Sequence, residues 1–191
     1  MWLWTISKKN NMWFKYLFTV AFFWFLALAQ SSFLAHYNIK GSVPNLIFIF
    51  FIILIFLSYF KSSDFNWQDF FYSITAGIFL DVYYFSYFGM SVVFLLIIGF
   101  STKKLMNLLR EKRERYSTVY FFMVFLISFT AYKIFASLGY YFLNSFRGAG
   151  ASWLFLVELS YNATFALFGF WAYKTAAGFF QPPKKQTKFY K

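Results

Sequence analysis

The sequence predicts an all-α integral membrane protein, a six-transmembrane-helix bundle with both termini in the cytoplasm. Three observations lead to this prediction: the composition, the number of apolar segments and the distribution of basic residues. The chain of 191 residues is 61% hydrophobic and only 13% charged, whereas a soluble domain is about 45–50% apolar and about 25% charged. Since most side chains favour a hydrocarbon environment, we expect the chain to lie in a membrane.

Six apolar segments are candidates for membrane spans. Each has close to the ~20 residues that cross the hydrocarbon core as a helix. They cover residues 15–34, 44–60, 67–85, 88–102, 118–138 and 152–173. The fourth is the shortest, and we expect its helix to continue into the basic residues that follow. The spans form one membrane domain, residues 1–180, and the polar tail at residues 181–191 is expected to be flexible.

The basic residues fall on one side of the predicted spans. With the N-terminus in the cytoplasm, every Lys and Arg is cytoplasmic except Lys40, Arg147 and Lys133, the last of which lies within the fifth span. Such a bias orients membrane proteins and predicts an N-in, C-in topology. The net charge of +12 therefore reflects topology, and no nucleic-acid partner is expected. Residues 103–115 are expected to bind anionic lipid, with a specific protein dock as the alternative.

The first apolar segment has a second interpretation. Basic residues, an apolar run and then Ala27-Leu28-Ala29 match the pattern of a signal peptide with a small-residue cleavage site. Cleavage would leave five spans and remove the basic residues that anchor the N-terminus. We therefore interpret the segment as a retained span.

Candidate catalytic and metal-binding residues are scarce. The chain has no Cys and one His, His36, and a single His without a second ligand is typical of a loop residue. We interpret Asp64 and Asp69 as first-turn acids of the third span, in a flexible, hydrated loop. No nucleotide loop or catalytic set is recognisable. The sequence therefore predicts neither an enzyme nor a bound cofactor or metal.

One carboxylate lies near the end of the third span. The stretch from Gly77 to Asp81 is followed, after a short aromatic turn, by Phe88-Gly89 and a second apolar run. A lone charge inside a membrane helix costs about 2.5–3.5 kcal/mol on insertion scales. Gly77 and Asp81 share a helix face with Ser73, a stripe suited to packing against another helix. Helix packing is the plainer interpretation, and a functional carboxylate is the alternative.

Asp81, Lys133 and Glu158 form a predicted layer of intramembrane charge. Counted from the ends of their spans at 1.5 Å per residue, they lie roughly 6–9 Å below the outer surface. Because an unpaired buried Lys is costly, we expect Lys133 to lie near Glu158 or Asp81. The cluster is either a charge-paired plug with a structural role or the lining of a cavity that opens outward.

Several short motifs, taken in order, resemble the rod shape-determining protein MreD family of bacteria. The first is the Gly, three apolar residues, Asp, turn and apolar-Gly pattern that runs from Gly77 to Gly89. The others are Gln30-Ser31-Ser32, Val43-Pro44-Asn45-Leu46 and Leu159-Ser160-Tyr161-Asn162-Ala163. The likeness covers about residues 30–174. Tyr87 departs from the family, which often has Pro at this point of the turn.

The resemblance implies a non-catalytic scaffold of the cell-elongation machinery in the inner (cytoplasmic) membrane. The implied partners are an MreC-like bitopic membrane protein and a RodA-type glycosyltransferase with its transpeptidase partner, which build lateral wall peptidoglycan. The implied motif and helix-packing positions are Gln30, Pro44, Asn45, Gly77, Asp81, Gly89 and Asn162. The family is also similar to the six-helix substrate-binding subunits of vitamin importers. Binding of a small molecule such as a vitamin therefore stays open as the alternative function.

Overall fold

The computed structural model describes residues 2–39, 42–84, 88–109, 118–143 and 154–180. These ranges contain six α-helices and no β-strand; one isolated bridge pairs Ile39 with Ser42. The helices are α1 Trp2–Leu28, α2 Leu46–Tyr59, α3 Trp67–Tyr84, α4 Met90–Leu108, α5 Thr118–Leu143 and α6 Leu154–Phe180. Several features predicted from the sequence lie outside the described residues: Lys40, Tyr87, Arg147, the basic residues 110–115 and the tail 181–191.

Four helices in the described part of the chain are long and apolar enough to cross a membrane. They are Trp13–Tyr37, Met90–Leu108, Thr118–Gly139 and Leu154–Thr175. The first includes the short turns that extend α1, a π-helical turn at Ala29–Phe33 and a 3-10 turn at Leu34–Tyr37. A mostly helical chain with four such helices supports the predicted class, a helical membrane protein.

The apolar helix α2 lies at the centre of the bundle. It has 14 residues, and most of its side chains are buried, including Ile47, Phe51 and Ile55, while the others, along one face, are partly buried. A helix that is hydrophobic all round requires neighbours all round. The neighbours α5 and α6 meet it through aromatic rings: the centroid of Phe56 on α2 lies 5.2 Å from that of Phe121 on α5 and 5.5 Å from that of Phe170 on α6.

The helix α1 lies at the edge of the bundle. Large apolar side chains along it are mostly exposed, among them Trp13, Phe14, Phe18, Trp24 and Phe25. Phe23 is the exception, since it is fully buried and contacts the Phe50 ring of α2. In lipid such exposure has no hydrophobic cost, so this face of α1 can contact either lipid or another membrane helix.

The helices α3 and α4 form a closely packed antiparallel hairpin. A Cβ atom on Gly77 would overlap the backbone of Val92, so the two helices touch through their main chains. Further along the hairpin, a Cβ atom on Gly99 would lie 3.3 Å from the hydroxyl oxygen of Ser73. The small-residue stripe of α3 therefore packs against α4, and its register positions Asp81 at the start of that helix.

Candidate functional site

Three polar residues that lie far apart in the sequence meet where α2 begins. Asn45 is the N-cap of α2, and its side-chain oxygen accepts a hydrogen bond from the Phe48 amide at 3.0 Å. The amide N–H of Asn45 itself donates to Oδ1 of Asn162 on α6 at 2.7 Å. The next amide, that of Leu46, donates to Oε1 of Gln30 at 2.9 Å. We call this end of the bundle the Asn45 end.

The contacts at the Asn45 end satisfy backbone groups that a helix start leaves unpaired. Gln30 and Asn162 are fully buried, and Asn162 also donates from Nδ2 to the Glu158 carbonyl at 2.8 Å. Pro44 lies just before the cap, and the helix itself begins at Leu46.

Asp81 closes the α3–α4 hairpin at the same end. Its two carboxylate oxygens accept the backbone N–H groups of Gly89 at 2.6 Å and Ser91 at 2.9 Å. A negative charge at the start of a helix is favoured both by these amides and by the helix dipole. Gly89 has φ of 92°, a left-handed conformation that other residues adopt only with strain. The turn thus requires a Gly at position 89 and an acceptor at position 81.

Lys133 on α5 forms an ion pair with Glu158 on α6. This is one of the two pairings expected from the sequence. The pair is only partly buried, since the side chains of Lys133 and Glu158 are 29% and 23% exposed. The Lys133 ammonium also lies 5.8 Å from the centre of the Phe129 ring. The pair joins α5 to α6 and leaves part of each charge accessible from outside the bundle.

Tyr132 connects the ion pair with the hairpin. It is buried, faces the Ser91 side chain and lies within electrostatic range of both Asp81 and Glu158. The three charges predicted as one layer therefore occupy one end of the bundle. Two of them pair directly, while Asp81 binds the start of α4.

A second charged site lies at the opposite end of the bundle, which we call the Lys103 end. The Lys103 ammonium on α4 is 2.6 Å from Oδ2 of Asp69 on α3, and the two side chains are 2% and 0% exposed. The same ammonium donates to the backbone carbonyls of Asp64 at 2.8 Å and Ser62 at 3.0 Å. The segment after α2 is therefore bound to α4 through one buried cation.

This second site corrects two predictions. Lys103 was assigned to a lipid-binding basic segment, and Asp69 to a hydrated loop. Asp69 does begin α3 and accepts the Asn66 amide at 2.8 Å, as a first-turn acid should. It is nevertheless completely buried, because the close hairpin brings Lys103 over it. The sequence does contain a signal for this contact. Asp69 precedes the turn between α3 and α4 by nearly as many residues as Lys103 follows it, to within one helical turn, so an antiparallel hairpin places the two side chains at the same level.

The surface formed by the described residues includes two grooves of several hundred cubic ångströms. One, of about 520 Å³, runs between α1 and α3 and is lined by Trp24, Ala27, Leu28, Ser31, Phe79, Val82 and Tyr83. The other, of about 440 Å³, follows α6 and is lined by Ile39, Leu156, Val157, Ser160, Tyr161 and Thr164. Within the described ranges no three His, Cys, Asp or Glu side chains are grouped as metal ligands would be. His36 contacts the Ser32 carbonyl through Nδ1 at 2.7 Å.

The fold and these contacts define a class: a mostly helical protein with four helices able to span a membrane and polar contacts between helices at both ends. No family model, curated protein or solved structure matches the chain.

Proposed function

We propose that the protein is a non-catalytic membrane scaffold of the bacterial cell-elongation machinery, with the role of an MreD-like protein. One observation carries this proposal: Gln30, Asn45 and Asn162, each from a different motif of the resemblance, meet within hydrogen-bond distance of the same helix start. The oxygens of these side chains accept backbone N–H groups. Groups used in this way hold helices together and do not act on a substrate, which favours a scaffold.

The proposed topology has six spans with both termini in the cytoplasm. The four long apolar helices account for four spans, and α2 and α3 supply the other two. With 14 residues, α2 is only about 21 Å long at 1.5 Å per residue. It is buried inside the bundle, so its ends meet protein and do not have to match the thickness of the bilayer.

The proposed mechanism is lateral packing against the spans of partner proteins. Helices associate in lipid through close packing and interhelical hydrogen bonds, because lipid tails are as apolar as the helices. The exposed aromatic face of α1 and the exposed Phe168 and Trp171 of α6 are the surfaces open to such contacts. The proposed partners are an MreC-like bitopic protein and the RodA-type glycosyltransferase with its transpeptidase.

Depletion of the protein in a rod-shaped host that depends on it tests this function. We expect cells to become round and lateral wall synthesis to slow. The wild-type protein should co-purify with the MreC-like protein from native membranes. A variant with Gly77→Leu, which disrupts the α3–α4 hairpin, should fail to restore the rod shape, whereas deletion of the tail after Pro183 should be tolerated.

The groove between α1 and α3 is the observation that favours the second candidate, a small-molecule binding subunit of a membrane importer. Its volume of about 520 Å³ lies within the range of about 300–1,000 Å³ typical of ligand pockets. If depleted cells keep their shape but lose uptake of one vitamin, and the purified protein binds that vitamin tightly, this second function replaces the first.

A further inference from the structure

The Lys103 ammonium lies in a cage of four oxygen atoms. The nearest is Oδ2 of Asp69 at 2.6 Å, followed by the carbonyl oxygens of Asp64 at 2.8 Å and Ser62 at 3.0 Å, and by Oγ of Ser58 at 3.4 Å. An ammonium has three donors, so four acceptors exceed what it can bind one to one. The cage therefore surrounds the charge more completely than the hydrogen bonds of a lysine require.

Three structural elements and one loop build the cage. Ser58 belongs to α2, Asp69 to α3 and Lys103 to α4, while Ser62 and Asp64 lie in the segment that joins α2 to α3. Two of the four oxygens are backbone carbonyls, and the segment curves so that both point at the same atom. Carbonyl oxygens arranged in this way replace the hydration shell of monovalent cations in other proteins.

We propose that this cage is a binding site for a monovalent cation and that the ammonium group of Lys103, covalently attached to the chain, occupies it in the wild-type protein. The ligand class is K⁺, ammonium or a small primary alkylammonium. One carboxylate balances one positive charge, as the pairing of Asp69 with Lys103 shows. Ca²⁺ and Mg²⁺ bind oxygens at about 2.3–2.6 Å and about 2.0–2.1 Å respectively. The cage is too wide and too weakly charged for them.

A free cation would have a further ligand available. Oδ1 of Asp69 is buried and has no hydrogen-bond partner within the described residues. The directional donors of the ammonium do not reach it, but a spherical ion has no such direction to satisfy. When the Lys103 amine is removed, we expect the site to attract a cation from solution, because the Asp69 carboxylate is otherwise left buried and uncompensated.

Chemical rescue tests the proposal. Lys103→Ala removes three methylenes and an ammonium, which together have the shape of n-propylammonium. Loss of one partner from a buried pair should lower the melting temperature of the full-length protein in detergent by roughly 6–20 °C. We expect n-propylammonium chloride and KCl to restore most of this loss. Tetramethylammonium chloride at the same ionic strength, and n-propanol, should restore none of it.

The adjacent Lys104 provides the matched control, since its side chain is exposed. Lys104→Ala should melt like the wild type and should respond equally to all these solutes. An equal response of Lys103→Ala to all three chlorides would overturn the proposal, because it would reflect ionic strength alone.

Two further measurements test the proposed cation site if Lys103→Ala does not fold. The double variant Lys103→Ala with Asp69→Asn has no uncompensated charge, so it should fold and be insensitive to the choice of cation; a cation-specific rise in its stability would contradict the proposal. In the wild-type protein, an amine-reactive acetylating reagent should modify Lys104 and spare Lys103. Equal modification of the two lysines, read by mass spectrometry, would show that the cage does not hold the amine.

Discussion

The amide nitrogen of Asn45 lies 2.7 Å from Oδ1 of Asn162, although 117 residues separate them. Asn45 at the same time caps α2 with its own side chain. The start of the central helix is therefore specified by two asparagines, one local and one from the last helix. Since the contact is buried, neither water nor lipid can replace it, and the position of α6 depends on it.

Replacement of Asn162 should destabilise the bundle. Asn162→Ala leaves the buried Asn45 N–H without a partner, which should cost about 1–3 kcal/mol in the free energy of unfolding. Thermal unfolding in detergent measures the effect. The control is Thr164→Ala on the same helix, because Thr164 is exposed and donates within α6 to the Ser160 carbonyl. Equal melting of the two variants would show that the contact does not hold the bundle.

The Asp81 carboxylate should stabilise the hairpin through the start of α4. Asp81→Ala removes the acceptor of two backbone N–H groups and should cost about 1–3 kcal/mol. Asp81→Asn keeps one acceptor oxygen and should cost less. The exposed neighbour Val82 supplies the control variant, Val82→Ala. If Asp81→Ala and Val82→Ala unfold at the same denaturant concentration, the cap does not contribute.

Close packing at Gly77 should make this position intolerant of any side chain. Gly77→Ala places a methyl group against the Val92 backbone and should cost about 1–3 kcal/mol or more as overpacking. Gly169 on α6 is the matched control, since a Cβ atom there would lie 3.4 Å from the Ile53 side chain, an ordinary contact. We expect Gly169→Ala to be neutral or slightly stabilising, because Ala favours a helix over Gly by about 1 kcal/mol. The reverse order of stabilities would contradict the packing.

Lys133 and Glu158 should be energetically coupled. Lys133→Met and Glu158→Gln should each destabilise the protein, because each leaves a charge without its partner. The double variant should be less destabilised than the sum of the two, by about 0.5–3 kcal/mol. A double-mutant cycle on unfolding in detergent measures this difference. Strict additivity would mean that the ion pair has no net effect on stability.

The proposed six-span topology predicts where reporter proteins are active. A reporter that works only in the periplasm should be silent when fused after Lys191 and active when inserted near Arg147. The reason is the bias of basic residues toward one side of the spans. An active fusion at the C-terminus would exclude an even number of spans with the N-terminus inside.

Some contacts of the site could be expected from the sequence. A lone Lys in an apolar helix needs a carboxylate, so a pairing of Lys133 with either Glu158 or Asp81 could be expected; the structure shows that the partner is Glu158. The stripe of Ser73, Gly77 and Asp81 is visible from its spacing of four residues. Which helix the stripe meets, and that Asp81 would bind amides at the start of α4, could not be read from spacing.

Other contacts could not be predicted, because their residues have polar or basic neighbours in the sequence and such residues are usually exposed. Lys103 begins a run of basic residues, and Asp69 lies in the first turn of a helix next to a polar segment, so both were expected to be exposed. Their burial follows from the closeness of α3 and α4, which the sequence shows only as scattered small residues. The polar residues of the Asn45 end were linked by the resemblance and not by any local rule.

The sequence by itself determined the class of this protein. A chain so rich in apolar residues has to form helices in a membrane, because each backbone polar group must find its partner within its own segment. Only the tertiary structure decided how the few polar side chains are used. In a low-dielectric interior each of them must meet a partner, and the partner is set by helix register: Asn162 for Asn45, the start of α4 for Asp81, and Lys103 for Asp69.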